Sequence, residues 1–147
     1  MSGHTALVGR SLQDVGLAVK RLQAHHHRTL DTRLAKLGLS LVQWDALRHL
    51  DHHPDASLHD LALLTFQSDQ AFGTLAGRMI DRGLIARRPG PGRAIRHDIT
   101  AKGRALLDDG RDVVDSVLHG TVGTLTPAER DTLVDLLAKA LPEDSQG

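Results

Sequence analysis

At 147 residues the chain suits one domain able to bury a core of its own, and the absence of cysteine excludes structural disulfides and thiolate zinc sites. Eighteen Lys and Arg offset eighteen Asp and Glu, but residues 1–56 carry +2, residues 57–104 carry +4 and residues 105–147 carry −6, so a basic centre suited to an anionic partner precedes an acidic tail. Aromatics at 2% leave too few platforms for stacking single-stranded bases, and no signal-peptide pattern or membrane-length apolar run is present, which points to a soluble, cytoplasmic protein.

Taken in order, residues 6–37 carry a helical pattern of about 30 residues, roughly 45 Å if unbroken. Leu12, Val15, Val19, Leu22, His26, Leu30, Leu34 and Leu37 recur three or four apart. A helix of this length exceeds what one small domain covers, so the excess is expected at a subunit contact. Of His25, His26 and His27, only His26 lies on the stripe. A hydrogen-bonded core or interface residue is the plain reading; contact with an effector, or a metal or pH role, is the other. Gly38 then ends the helix. Ser40 with Gln43 forms a capping box for a helix bearing Leu41, Trp44, Leu47 and Leu50, which stops before Pro54. Trp44 reads as core packing or as a ligand-stacking surface. His49 and His53 stand at a spacing that can clamp a metal, with His52 beside them, yet histidine is favourable at a helix C-terminus in any case. No carboxylate at fixed spacing completes a site, so no metal and no cofactor are assigned.

Ser57 with Asp60 caps a short helix carrying Leu61, Ala62 and Leu64, and Ser68 caps a second. In that second helix Phe72, Leu75, Ala76, Met79 and Ile80 form one stripe, with Gln70, Gly73, Thr74, Gly77 and Arg78 opposite. Each glycine costs roughly 1 kcal/mol against alanine inside a helix, a loss expected where a partner approaches closely. Gln70 and Thr74 suit base edges, while Ser68 and Arg78 suit phosphates. The alternative is a pair of amphipathic helices with an ordinary solvated side. Strands are predicted at Leu84–Arg88 and Ala94–Ile99 around the turn Pro89-Gly90-Pro91-Gly92, with Ile95 and Ile99 on one side and Arg96 and Asp98 on the other. Arg87, Arg88, Arg93 and Arg96 suit a sugar-phosphate backbone or a narrow minor groove; otherwise they are charges that keep a solvated hairpin off other edges.

Thr100 caps a further long helix whose apolar residues are Leu106, Val113, Val114, Val117 and Leu118. Its acids Asp108, Asp109, Asp112 and Asp115 read as a solvated face. Thr126-Pro127-Ala128-Glu129 opens a last helix with Leu133, Leu136, Leu137, Ala140 and Leu141, ending before Pro142. The first and last helices are the natural dimer-forming pair. Together the elements describe a mainly α fold with a small β-hairpin wing, a winged helix-turn-helix flanked by long dimerisation helices. A single domain over 1–147 is expected, with a reading lobe at about 40–100 and dimerisation helices at about 6–37 and 101–141.

The run from Gly38 to Leu107 resembles the MarR family of bacterial transcriptional regulators. The resemblance rests on GLSLVQWDALRHL, on Leu61-Ala62, on Ser68 at the start of the reading helix, on Gly83 to Ile85, on RRP, and on Ile99-Thr100 followed by KGRALL. It implies a cytoplasmic homodimer on double-stranded DNA with a palindromic operator, a repressor released by a small, often aromatic, effector. The DNA-binding set so implied is Ser68, Gln70, Gly73, Thr74, Arg78, Arg93 and Arg96. In the family the effector sits between the dimer helices and the reading lobe, where helix phase offers His26, Trp44 and Arg48. Without cysteine, the thiol-based oxidant sensing of some members is excluded. Two departures stand out: Phe66 occupies the place of a turn glycine, with Thr65 at a commonly apolar position, and the wing is short, with a Gly-Pro-Gly tip in place of an Asp-x-Arg pair. Three other readings remain: a regulator of the same fold responding to metal or pH through its histidines, a winged-helix protein-interaction module, and an enzyme, for which no spaced catalytic constellation is found.

Overall fold

The computed structural model describes residues 9–92 and 94–143. Helix α1 spans Leu12–Ala35. Part of the helical pattern read over 6–37 lies outside the described residues, and the helix itself starts at Leu12 because Ser11 is extended and its hydroxyl accepts the Asp14 N–H at 3.0 Å. It ends at Ala35, short of Leu37: Gly38 adopts φ +79°, which lets the Leu39 N–H return to the Leu34 carbonyl at 3.2 Å. Helices α2 (Leu41–His52) and α3 (Leu58–Leu64) both open with complete capping boxes, Ser40 with Gln43 and Ser57 with Asp60. Helix α4 (Asp69–Asp81) is capped by Ser68.

Strands β1 (Ile85–Pro89) and β2 (Ile95–Ile99) pair antiparallel, Ile85 opposite Ile99 and Arg88 opposite Arg96. Each starts one residue later than predicted. Helix α5 (Ala101–His119) follows, capped by Thr100, whose hydroxyl accepts the Gly103 N–H. A 3-10 turn at Val122–Thr124 leads to α6 (Pro127–Ala140), which has the predicted threonine, proline and glutamate start.

The core gathers Leu34, Leu39, Leu47, Met79, Leu84 and Leu107, drawn from α1, α2, α4, α5 and the loops beside them. Val114 and Val117 of α5 are buried as the apolar pattern predicts, but nearer its start Leu107 is fully buried and Leu106 only half-buried. The Trp44 indole N–H donates to the Leu107 carbonyl at 3.1 Å, which satisfies its one polar atom inside the core. Helix α5 comes this close because residue 110 is glycine: a Cβ there would drive into the Trp44 ring. On β2 the inward side chain is His97, 2% exposed, while Ile95 on the same side is half exposed.

The first and last helices both carry apolar surface with nothing over it in one chain. Leu12, Val15 and Val19 on α1 are exposed, and only Leu30 and Leu34 of its stripe reach the core. Helix α6 has no buried residue at all.

Candidate nucleic-acid interface

Ser68 sets the start of α4. Its backbone is extended and its hydroxyl accepts the Ala71 N–H at 3.0 Å, leaving other first-turn N–H groups facing outward. Gln70, Thr74 and Arg78 then lie exposed along one side. The Thr74 hydroxyl donates to the Gln70 carbonyl at 3.1 Å and keeps its oxygen as an acceptor. Among the described residues, Gln70 and Arg78 spend no side-chain hydrogen bond within the chain. Gly73 and Gly77 lie on the same side, and a Cβ at either would meet nothing within 4 Å. Packing inside the chain therefore gives no reason for glycine at either position.

One residue of this surface escaped the sequence reading. His59 in the first turn of α3 sits 2.8 Å from the Asp69 carboxylate at the start of α4. The hydrogen bond to Asp69, then its charge, raises the pKa of the His59 imidazole above its ordinary value. Ten residues separate the pair in sequence, and only the crossing of α3 and α4 joins them.

The wing's arginines divide. Arg88 donates through Nε to Asp98 at 2.7 Å and through Nη2 to Asp55 at 3.0 Å and the Pro54 carbonyl at 3.1 Å. It fastens the hairpin to the α2–α3 loop and is not a free cation. Arg87 is exposed, and Arg96 is half-buried with Nη1 on the Ile95 carbonyl at 3.3 Å. Arg93, expected at the tip, lies outside the described residues.

The three positions proposed for an effector have separate surroundings. His26 Nε2 is 2.7 Å from the Thr121 hydroxyl, beyond the end of α5, and desolvation followed by the charge of His25 lowers its pKa. Trp44 is packed against Gly110 with its N–H on Leu107. Arg48 faces solvent. His49 lies 3.5 Å from Asp45, and His53 lines a cleft of about 530 Å³ with Pro54, Asp55, Asp60 and Leu63. Among the described residues no three His, Asp or Glu side chains gather as a metal site requires, and no helix is long and apolar enough to cross a membrane.

Residues 37–94 match the model of the MarR family. The HTH-type transcriptional repressor Rv2887 of Mycobacterium tuberculosis is 28% identical over 127 residues, which cover 85% of this chain and 91% of the relative. The crystal structure of Rv2887 with p-aminosalicylic acid has a TM-score of 0.69 at 28% identity, covering 88% of this chain and 98% of that one. A mutant of Escherichia coli MarR in complex with operator DNA is similar in fold, with a TM-score of 0.77 at 23% identity over 88% of this chain and 94% of that one. The matched segment contains the capped α3–α4 pair and the first strand of the wing, and the likeness in fold extends over the flanking helices. Over this segment the chain is similar to the MarR family of winged helix-turn-helix transcriptional regulators, and it shares their fold.

Proposed function

We propose that the protein acts in the cytoplasm as a homodimeric repressor, not an enzyme, binding a palindromic double-stranded operator and leaving it when a small aromatic acid binds. The observation that carries this reading is the outer side of α4. Gln70 and Arg78 stand free there, and two glycines expose the helix backbone with no need inside the chain. In this assignment Gln70 and Thr74 read base edges, Gly73 admits close approach, and Ser68 and Arg78 hold phosphates. Arg93 and Arg96 grip the adjacent backbone or minor groove. Two copies joined through α1 and α6 set their reading helices about 34 Å apart, one turn of duplex.

For release, the effector must bind the form of the dimer that does not fit DNA more tightly than the form that does. The salicylate-type ligand of the Rv2887 structure supports an aromatic acid as its class. His26, Trp44 and Arg48 remain the proposed lining.

Duplex affinity measured between 50 and 200 mM salt tests the reading, and a loss of about a thousandfold is expected for several phosphate contacts. Arg78→Ala should weaken binding to all duplexes alike and lower the salt slope by about one. Gln70→Ala should instead cut the preference for operator over random DNA. Equal losses on both duplexes would remove Gln70 from base reading, and a flat salt response of the wild type would remove DNA as the partner.

A further inference from the structure

The turn between α3 and α4 holds the one non-glycine residue among those described whose φ is positive, Phe66 at +58°. This backbone region favours glycine, and an aromatic residue adopts it only under constraint. The constraint is visible. Thr65 donates through its hydroxyl to the Leu61 carbonyl at 2.7 Å, and the Phe66 N–H reaches Leu63 at 3.2 Å. The Gln67 N–H reaches Ala62 at 2.9 Å, and the Gln67 side-chain amide donates to the Thr65 hydroxyl at 3.2 Å. These bonds turn Gln67 inward and leave Phe66 pointing out.

The two backbone bonds cap the end of α3 and account for the turn, but the Phe66 side chain gains no packing from it, being 90% exposed. The contrast with the other aromatics is sharp: the sequence has two phenylalanines and one tryptophan, and Phe72 and Trp44 are both buried. Phe66 is thus the sole exposed aromatic of the chain. It stands two residues before Ser68, at the end of α4 that enters the groove on the reading above, with exposed Leu63 one helical turn before it. Strained backbone held by a rigid frame, and presenting an apolar ring to solvent beside a reading helix, is the arrangement expected of a contact residue.

We infer that Phe66 is an apolar DNA contact at the start of the reading helix, laying its ring on a C–H surface of the duplex, either a thymine methyl group, which would read sequence, or a deoxyribose face, which would add affinity alone. The inference rests on the DNA-binding reading, and it adds a neutral contact to a set otherwise made of hydrogen bonds and charges. Apolar contact with the thymine methyl is one of the ways a major groove is read. Because the ring carries no charge, its loss leaves the number of released counterions unchanged.

The test uses the full-length chain with Phe66→Asn and Phe66→Gly, two residues that accept the left-handed region. Melting should stay level or rise, by about 2–6 °C for the asparagine variant, since strain is relieved and no packing is lost. Operator affinity should fall about tenfold with an unchanged salt slope, the opposite of the pattern for Arg78→Ala. Repeating the comparison on an operator with deoxyuridine in place of thymidine separates the two surfaces. A loss abolished by that exchange identifies the methyl group, and a loss that persists identifies the sugar. Variants that bind as tightly as the wild type overturn the inference while leaving the DNA reading intact, as does a loss of affinity accompanied by a lower melting temperature, which marks a structural role. A wild type without duplex affinity removes both together.

Discussion

His97 is the residue where the wing is most sensitive to proton concentration. Its ring is buried among apolar side chains of α2, α3 and α4, including Leu50, Leu61, Phe72 and Met79, and its Nδ1 has no hydrogen-bond partner. Desolvation, and then the charge of Arg87 across the hairpin, lowers its pKa, with Asp98 opposing weakly. The unfolded imidazole titrates near 6.5, above the folded value. Below that pH the unfolded chain therefore binds more protons, and the contribution to stability present at neutral pH is lost as the solution is acidified. His26 and His49 are shifted downward too and add to the same trend, which His59, shifted upward on the surface by Asp69, opposes. The expected result is a melting temperature that falls between pH 7.5 and 5.5, with a visibly shallower fall in His97→Leu. Parallel curves for the two proteins would show that His97 does not titrate in this window.

At the scale of elements, the Arg88 fork decides how the hairpin is seated. Its partners Asp55 and Asp98 are largely exposed, so solvent screens each ion pair and it adds little to stability. What the fork sets is direction, because one planar group spans the strand and the α2–α3 loop. Arg88→Ala should lower the melting temperature by only a few degrees and weaken operator binding while leaving the salt slope unchanged; a slope reduced by about one would instead make Arg88 a phosphate contact.

The same element shows where sequence reading stops. Helix starts were legible at Ser40, Ser57, Ser68, Thr100 and Thr126 because a cap is a bond between residues three apart. The outer side of α4 was legible because helical phase alone separates Gln70 and Arg78 from Phe72 and Met79. The Arg88 fork, the His59–Asp69 pair and the seat of Leu107 against Trp44 were not, since each depends on how distant segments cross. His97 was hidden for another reason: alternation in β2 marks a side, but not how deep along it the core extends.

On the whole-molecule scale, α1 and α6 are incomplete in one chain. Val134, Leu136, Leu137 and Leu141 on α6, and Leu12, Val15 and Val19 on α1, stay exposed while the reading lobe is packed. Burying each such side chain contributes about 1.5–3 kcal/mol, so a second copy is the natural cover. Leu137→Asp should yield a monomer in sedimentation with the helical content retained, because α6 gives no buried residue to its own core. Operator affinity should drop about a hundredfold or more as the two half-sites cease to be held together. A dimer that persists in this variant would place the subunit contact elsewhere.

The close seat of Trp44 against Gly110 carries a mechanical consequence. Helix α5 is locked to α2 at its middle and joined at its start to the end of α4, where the Thr100 hydroxyl and the Lys102 ammonium reach the carbonyls of Gly83 and Arg82. It is about 28 Å long, about 14 Å to either side of Gly110. His26 touches Thr121 just past the far end of that helix. With the pivot at Gly110, a tilt of about ten degrees moves the start of the helix by about 2 Å over an arm of about 14 Å. That travel is comparable to the span of a hydrogen bond, enough to break a contact of the kind proposed between Gln70 and a base.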